Sequence, residues 1–295
     1  MIGMIISRIA GVYSVRTDNA VFFCRARGIF RKKGISPIVG DRVVFTPLPG
    51  EEGIIEDIQE RKNEFIRPCI ANVDVLCYVF ASRFPDPDPY LIDKMIVLSA
   101  LKKVDIILVL NKTDLDEDRS AETLLQAYEK LGFQVIRVCA ATGAGISTLR
   151  SALQGKCAVL CGNTGVGKSS IVNALDIGVD VKVSEISQKL GRGRHTTREV
   201  TLFPYGDNSC LADTPGFGNV DLMLEKTLST DILASLFREF RPWLSSCRFA
   251  DCTHTGETGC MVLEKMTAGH IPSSRYQSYA RLYRELSERD NNKYN

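Results

Sequence analysis

The chain has 295 residues, 44% of them hydrophobic, which suffices for two or three packed domains and excludes wholesale disorder. Its formal net charge is only +2, so any basic surface must be local rather than global. It contains no run of eighteen apolar residues, so no membrane-spanning helix is expected; the apolar start lacks a basic leader and reads on into a strand pattern, and a cytoplasmic monomer is the expectation.

Residues 1–70 carry short apolar runs broken by Gly, Pro and Asp. Strands are predicted over 4–15, 20–27, 41–47 and 53–58, spaced as in a small barrel or sandwich. In the second of them Phe22, Cys24 and Ala26 alternate with Phe23, Arg25 and Arg27. Arg25, Arg27, Arg31, Lys32 and Lys33, near Phe23 and Phe30, read either as an RNA-binding face or as a solvated one.

From residue 71 the pattern changes. Residues 74–81 and 105–110 are compact apolar runs of the buried-strand type, with helical spacing over 91–101 between them. Further strands are predicted at 134–139 and 158–160. Alternating strands and helices imply a parallel sheet covered on both faces. After 221 the chain is expected to be helical over 222–244 and again over 275–288, with a cysteine-rich segment between. The predicted units are 1–70, 71–220 and 221–295.

Asn111-Lys112-Thr113-Asp114 directly follows the 105–110 run. A carboxylate at Asp114 can accept both donors of a guanine edge, which adenine does not offer, while Asn111 would tie loops together and Lys112 would lie along the base. Cys139-Ala140-Ala141 follows another strand and is either a source of a backbone N–H for the guanine carbonyl or an ordinary strand-to-loop junction.

Gly162-Asn163-Thr164-Gly165-Val166-Gly167-Lys168-Ser169, continuing into Ser170, completes the pattern G-x-x-x-x-G-K-[ST] between a strand and a helix. Its backbone N–H groups suit phosphates, Lys168 suits the β and γ phosphates, and Ser169 suits Mg²⁺.

Gly191 to Arg198 is Gly-rich and basic; Thr197, in preference to Thr196, would complete the magnesium shell. Asp213-Thr-Pro-Gly216 would hold a magnesium-bound water through Asp213 and meet the γ phosphate through the Gly216 N–H. Phe217 cannot orient a water, so His195 is the nearest able group; it either does that work or contacts only a phosphate or partner.

Cys247, Cys252, His254 and Cys260 fall within fourteen residues. Three thiolates and an imidazole suit tetrahedral Zn²⁺ and leave no open position, so the site is predicted to be structural. The other cysteines lie in or near apolar runs and read as packing residues.

With these motifs in this order, the chain resembles the circularly permuted GTPases that mature the small ribosomal subunit, the RsgA family. Ordinary GTPases place the Asn-Lys-x-Asp motif after the others, so the order is the most specific feature. The resemblance implies an α/β P-loop GTPase domain preceded by an OB-fold β-barrel and followed by an α-helical zinc-binding domain. It implies GTP hydrolysis to GDP, stimulated by the small (30S) subunit and its rRNA, late in that subunit's maturation. His195 matches the family's proposed catalytic histidine. Cys139 stands where a serine is common, and Arg198 where a third threonine is frequent. The competing reading is an RNA-binding assembly factor that nucleotide merely gates. Because 213–217 leads towards the Cys/His segment, loss of the γ phosphate is expected to reposition that segment.

Overall fold

The computed structural model describes residues 1–32, 34–176, 200–205, 209–213 and 222–291. His195, Thr196, Thr197, Gly216 and Phe217 lie outside the described residues.

Five strands form an N-terminal barrel: β1 (Ile2–Ile9), β2 (Val12–Arg16), β3 (Val21–Ala26), β4 (Arg42–Leu48) and β5 (Glu52–Ile58), with a short helix α1 (Ile29–Lys32) between β3 and β4. They pair in the order β1-β2-β3-β5-β4, and β4 returns to β1 through Ile2↔Val44 and Met4↔Arg42. That closed five-strand order is an OB-fold and leaves no open edge. Cys24, Phe45, Val43 and Ile55 fill its interior, and the Phe22 and Phe45 rings meet at 5.0 Å. The strand predicted over 4–15 is two strands. Ala10 (φ 49°) and Gly11 (φ 82°) turn the chain between them, and alanine in a left-handed turn gives little sequence signal.

The second unit is built on a parallel sheet of β8 (Val75–Ala81), β9 (Asp105–Asn111), β10 (Gln134–Arg137), β11 (Cys157–Cys161) and β13 (Ser209–Asp213), in the order β10-β9-β8-β11-β13. The short strands β6 (Glu64–Phe65) and β7 (Ile70–Ala71) pair with each other in the link from the barrel. Every residue of β8 is buried. Val75, Cys77, Val79 and Ala81 pack on one face, towards α4 (Ile146–Leu153) and α5 (Lys168–Ala174). Leu76, Tyr78 and Phe80 pack on the other, towards α2 (Pro89–Lys102) and α3 (Ser120–Lys130). Asp88 caps α2 by accepting the Tyr90 N–H at 2.9 Å, and Pro89 occupies its first turn. An antiparallel strand β12 (Thr201–Tyr205) pairs with β13 and meets β1 at Ser7↔Thr201, joining this sheet to the barrel. All five parallel strands run the same way, so the loops after β8, β9, β10 and β11 gather at one edge of the sheet.

The C-terminal unit differs from the expected run of helix over 222–244. It has a 3-10 turn at Leu222–Leu224, then α6 (Thr230–Leu236), then a 3-10 segment Arg241–Ser246 that contains Pro242. After the cysteine segment come α7 (Met261–Thr267) and α8 (Ser273–Asn291). A buried ion network fastens this unit to the sheet. Arg275 on α8 donates to Asp93 Oδ1 on α2 at 2.6 Å and to Glu239 Oε1 at 2.5 Å. Tyr128 on α3 donates to the same Asp93 oxygen at 2.8 Å. Arg275 is 1% exposed and Asp93 0%. Burial alone would lower the guanidinium pKa, but Asp93 and Glu239 outweigh it and raise it, so the cation is held. Lys102 adds a second tie, 2.6 Å from Glu225. Movement of the whole unit with nucleotide state would have to break the Arg275–Asp93 and Lys102–Glu225 pairs.

Removing one partner of a buried ion network strands the others. Arg275→Ala should therefore lower the unfolding free energy by about 3–5 kcal/mol, measured by urea denaturation. A loss below about 1 kcal/mol, the scale of an exposed pair, would contradict this reading.

Candidate nucleotide site and metal centre

Gly162 to Gly167 form the loop between β11 and α5, and Lys168, Ser169 and Ser170 form the first turn of that helix. Two glycines are required sterically. Gly162 sits at φ 141°, where a Cβ would collide with the Val79 carbonyl oxygen; Gly167 sits at φ 92°, where it would collide with the Asn111 carboxamide. The loop thus closes tightly on β8 and on the end of β9. Lys168 Nζ lies over the loop, donating to the carbonyls of Gly162 at 2.7 Å and Asn163 at 2.9 Å. Thr164 and Gly165 are exposed and Val166 is buried beneath the loop.

Asn111 is the last residue of β9 and is 1% exposed. Its Nδ2 donates to the Val166 carbonyl at 2.9 Å, and its Oδ1 accepts the Ala140 N–H at 3.1 Å. One carboxamide therefore braces three loops that are distant in sequence. Lys112 follows in a left-handed conformation (φ 58°), and its ammonium donates to the Phe84 carbonyl. Asp114 lies in the 3-10 turn Thr113–Leu115, and Thr113 Oγ1 donates to the Val138 carbonyl at 3.3 Å. The Cys139 thiol donates to Asp114 Oδ1 at 3.1 Å, so that segment aims the carboxylate through a side chain. Sequence reasoning left Cys139-Ala140-Ala141 as either a backbone donor or a strand-to-loop junction; the Ala140 N–H is engaged by Asn111, and neither reading gave the Cys139 thiol a role.

Asp213 ends β13, paired in register with Leu160, two residues before Gly162. Its backbone is thereby placed beside the start of the phosphate-loop motif.

Cys247, Cys252, His254 and Cys260 come together as predicted. Their ligand atoms all lie within 4.8 Å of one another. His254 Nδ1 is 3.5 Å from Cys247 Sγ and 3.4 Å from Cys260 Sγ. Three sulfurs and one imidazole nitrogen, with no carboxylate among them, fit a closed tetrahedral ion. The Met261 N–H donates to Cys247 Sγ at 3.3 Å, and Tyr279 on α8 donates to the Thr253 carbonyl at 2.6 Å, fixing the loop to the helix. Sequence reading missed Glu257, which folds the loop around itself. It accepts the backbone N–H groups of Thr253 (2.7 Å), Thr255 (2.9 Å) and Gly256 (3.1 Å). Burial would raise its pKa, but these bonds and that from the Thr253 hydroxyl prevail and bring it down to about 2.

An OB barrel, a parallel-sheet P-loop unit whose Asn-Lys-Thr-Asp strand precedes its phosphate-loop strand, and a helical Cys/His unit define a circularly permuted P-loop GTPase. The sequence model described as RsgA GTPase matches residues 58–223, and that described as RsgA N-terminal domain matches residues 2–55. The chain belongs to the RsgA GTPase family. It is 39% identical over 292 residues to a protein named small ribosomal subunit biogenesis GTPase RsgA from Caldanaerobacter subterraneus subsp. tengcongensis, covering 99% of this chain and 98% of the relative. It is 41% identical over 290 residues to the protein of the same name from Geobacillus kaustophilus, covering 97% and 98%. Its fold is similar to the crystal structure of YjeQ from Thermotoga maritima (TM-score 0.84, 33% identity, 97% of this chain and 98% of that one). It is also similar to YloQ, described as a circularly permuted GTPase (TM-score 0.79, 31% identity, 98% and 95%).

Two substitutions test this geometry. Asn111→Ala strands the buried Val166 carbonyl, at about 1–3 kcal/mol, and frees the half-buried Ala140 N–H, so GDP and GTP affinity should both fall at least about tenfold in fluorescent-nucleotide titrations. Glu257→Gln should speed metal release to a chromogenic chelator while leaving nucleotide affinity unchanged.

Proposed function

We propose that this protein hydrolyses GTP to GDP and phosphate as a timing step in small ribosomal subunit biogenesis. The observation that carries the reading is the Asn111 brace, which sets the Asp114 turn and the Lys168 loop at one edge of one sheet. One nucleotide can then meet both.

Asp114, oriented by the Cys139 thiol, would accept the donors of the guanine edge. Adenine would leave that carboxylate unpaired, which is the basis of discrimination. Lys112 would flank the base. Backbone N–H groups of Gly162–Gly167 and the first turn of α5, with Ser170, would receive the phosphates, and Lys168 would exchange its loop carbonyls for the β and γ oxygens. A hydroxyl at Ser169 and a carboxylate at Asp213 are hard oxygen donors that fit Mg²⁺; these residues would hold the ion, and it would supply charge neutralisation for the phosphates. Thr197 would complete that shell, the Gly216 N–H would sense the γ phosphate, and His195 would orient the attacking water. Phe217 is apolar and would not. The Cys/His centre is read as structural Zn²⁺ at Cys247, Cys252, His254 and Cys260.

The units implied are 1–70 as an rRNA-binding barrel, 71–220 as the GTPase and 221–295 as the zinc unit, in a cytoplasmic monomer. Among the described residues no helix is long and apolar enough to cross a membrane.

GTP turnover measured alone, with purified small subunits and with large subunits tests the reading. Stimulation by small subunits only is expected; equal rates in all three would overturn it. Lys168→Ala should abolish turnover, and Asp114→Asn should cost GTP about tenfold or more in affinity while xanthosine triphosphate gains. Turnover retained in Lys168→Ala would contradict the assigned role of the loop.

A further inference from the structure

On the opposite edge of the parallel sheet from the nucleotide loops lies a cleft of about 510 Å³. It is bounded by Asp105 at the start of β9, Gln134 at the start of β10 and Lys156 just before β11, and on its other side by Arg238 and Arg241 of the C-terminal unit. Lys103, at the end of α2, completes a set of four cations facing one carboxylate, Asp105. None of these five side chains takes part in an ion pair among the described residues, although fourteen such pairs occur elsewhere.

Arg238 is held as a fixed donor rather than a free surface chain. Its guanidinium stacks on Phe133 at 3.8 Å, and Nη1 donates to the Gly132 carbonyl at 2.9 Å. Its Nε and Nη2 make no hydrogen bond to protein among the described residues. Burial lowers its pKa; Glu239 opposes this, while Arg241 and Arg275 lower it further. Like charges gathered in a concave, partly apolar site repel one another unless an anion joins them. The volume is that of a small-molecule site. Cations approach from two sides, Lys103 and Lys156 from the sheet edge and Arg238 and Arg241 from the C-terminal unit, which suits two linked phosphoryl groups better than one.

We infer that this cleft is a second anion site, separate from the GTP loop, that takes a small phosphoanhydride-bearing molecule of the pyrophosphate class. Bound there, the ligand bridges the sheet and the C-terminal unit. The inference does not depend on the reading of the GTP site.

Full-length protein saturated with GDP, so that the phosphate loop is filled, is titrated with sodium pyrophosphate in a calorimeter. One further binding event per chain is expected. The double substitution Lys156→Gln/Arg241→Gln should weaken it at least about tenfold while GDP affinity stays unchanged. If the Lys156 variant does not fold, Lys103→Gln/Arg241→Gln, at two exposed positions, replaces it. No second event, or one that these substitutions leave intact, would overturn the site. A short oligoribonucleotide that binds the cleft where pyrophosphate does not would overturn the small-anion assignment.

Discussion

A single buried carboxamide governs the geometry on which nucleotide recognition depends. Asn111 leaves β9 at the sheet edge and spends its donor on the phosphate loop and its acceptor on the loop after β10. Neither partner is near it in sequence, at separations of 55 and 29 residues. A buried amide cannot lose such partners cheaply, so the three loops are held in one arrangement. Gly167 tightens this further, because its missing Cβ is what lets the carboxamide approach. Circular permutation is compatible with function for the same reason. The contacts that matter are lateral, between neighbouring strand ends, and lateral contacts do not depend on the order in which the chain visits the strands.

The same sheet sets limits on what a nucleotide switch can move. β13 ends at Asp213 beside the phosphate-loop strand, and the C-terminal unit is tied down from its first turn, Leu222–Leu224, onward. Glu225 pairs with Lys102, and Arg289 donates to the carbonyl of Leu228 at 2.6 Å. With Arg275 buried between Asp93 and Glu239, the Cys/His unit is mounted on α2. The Cys/His loop, which fits a structural metal site, is wrapped by Glu257 and tied to α8 by Tyr279.

Much of this was legible in the sequence where local chemistry demands it. The phosphate-loop motif is readable because its glycines, lysine and serine are contiguous, and the Cys/His cluster because its four residues fall within fourteen positions. The strands β8 and β9 announce themselves as runs buried on both faces. What escaped was set by distant partners or by unusual backbone. The β1–β2 turn uses Ala10 at φ 49°, so the apolar pattern runs through it unbroken. Over 222–244, Leu228, Leu233, Phe237 and Phe240 have helix-like spacing, but the helix stops at Leu236, where Phe237 turns extended (φ −89°, ψ 104°), and all four side chains still join the core with α8. β12 carries Pro204, which argues against a central strand and is tolerated because β1 meets β12 only near Thr201. The Arg275–Asp93 pair joins residues 182 apart and has no sequence signature at all.

The most direct test is a crystal structure of the full chain with Mg²⁺ and a non-hydrolysable GTP analogue. The account predicts one nucleotide with its guanine edge on the Asp114 carboxylate, its β and γ phosphates on the Lys168 ammonium, and the Asn111 carboxamide still bonded to Val166 and Ala140. A nucleotide that reaches only one of those two charged groups, with the Asn111 bonds broken, would contradict it.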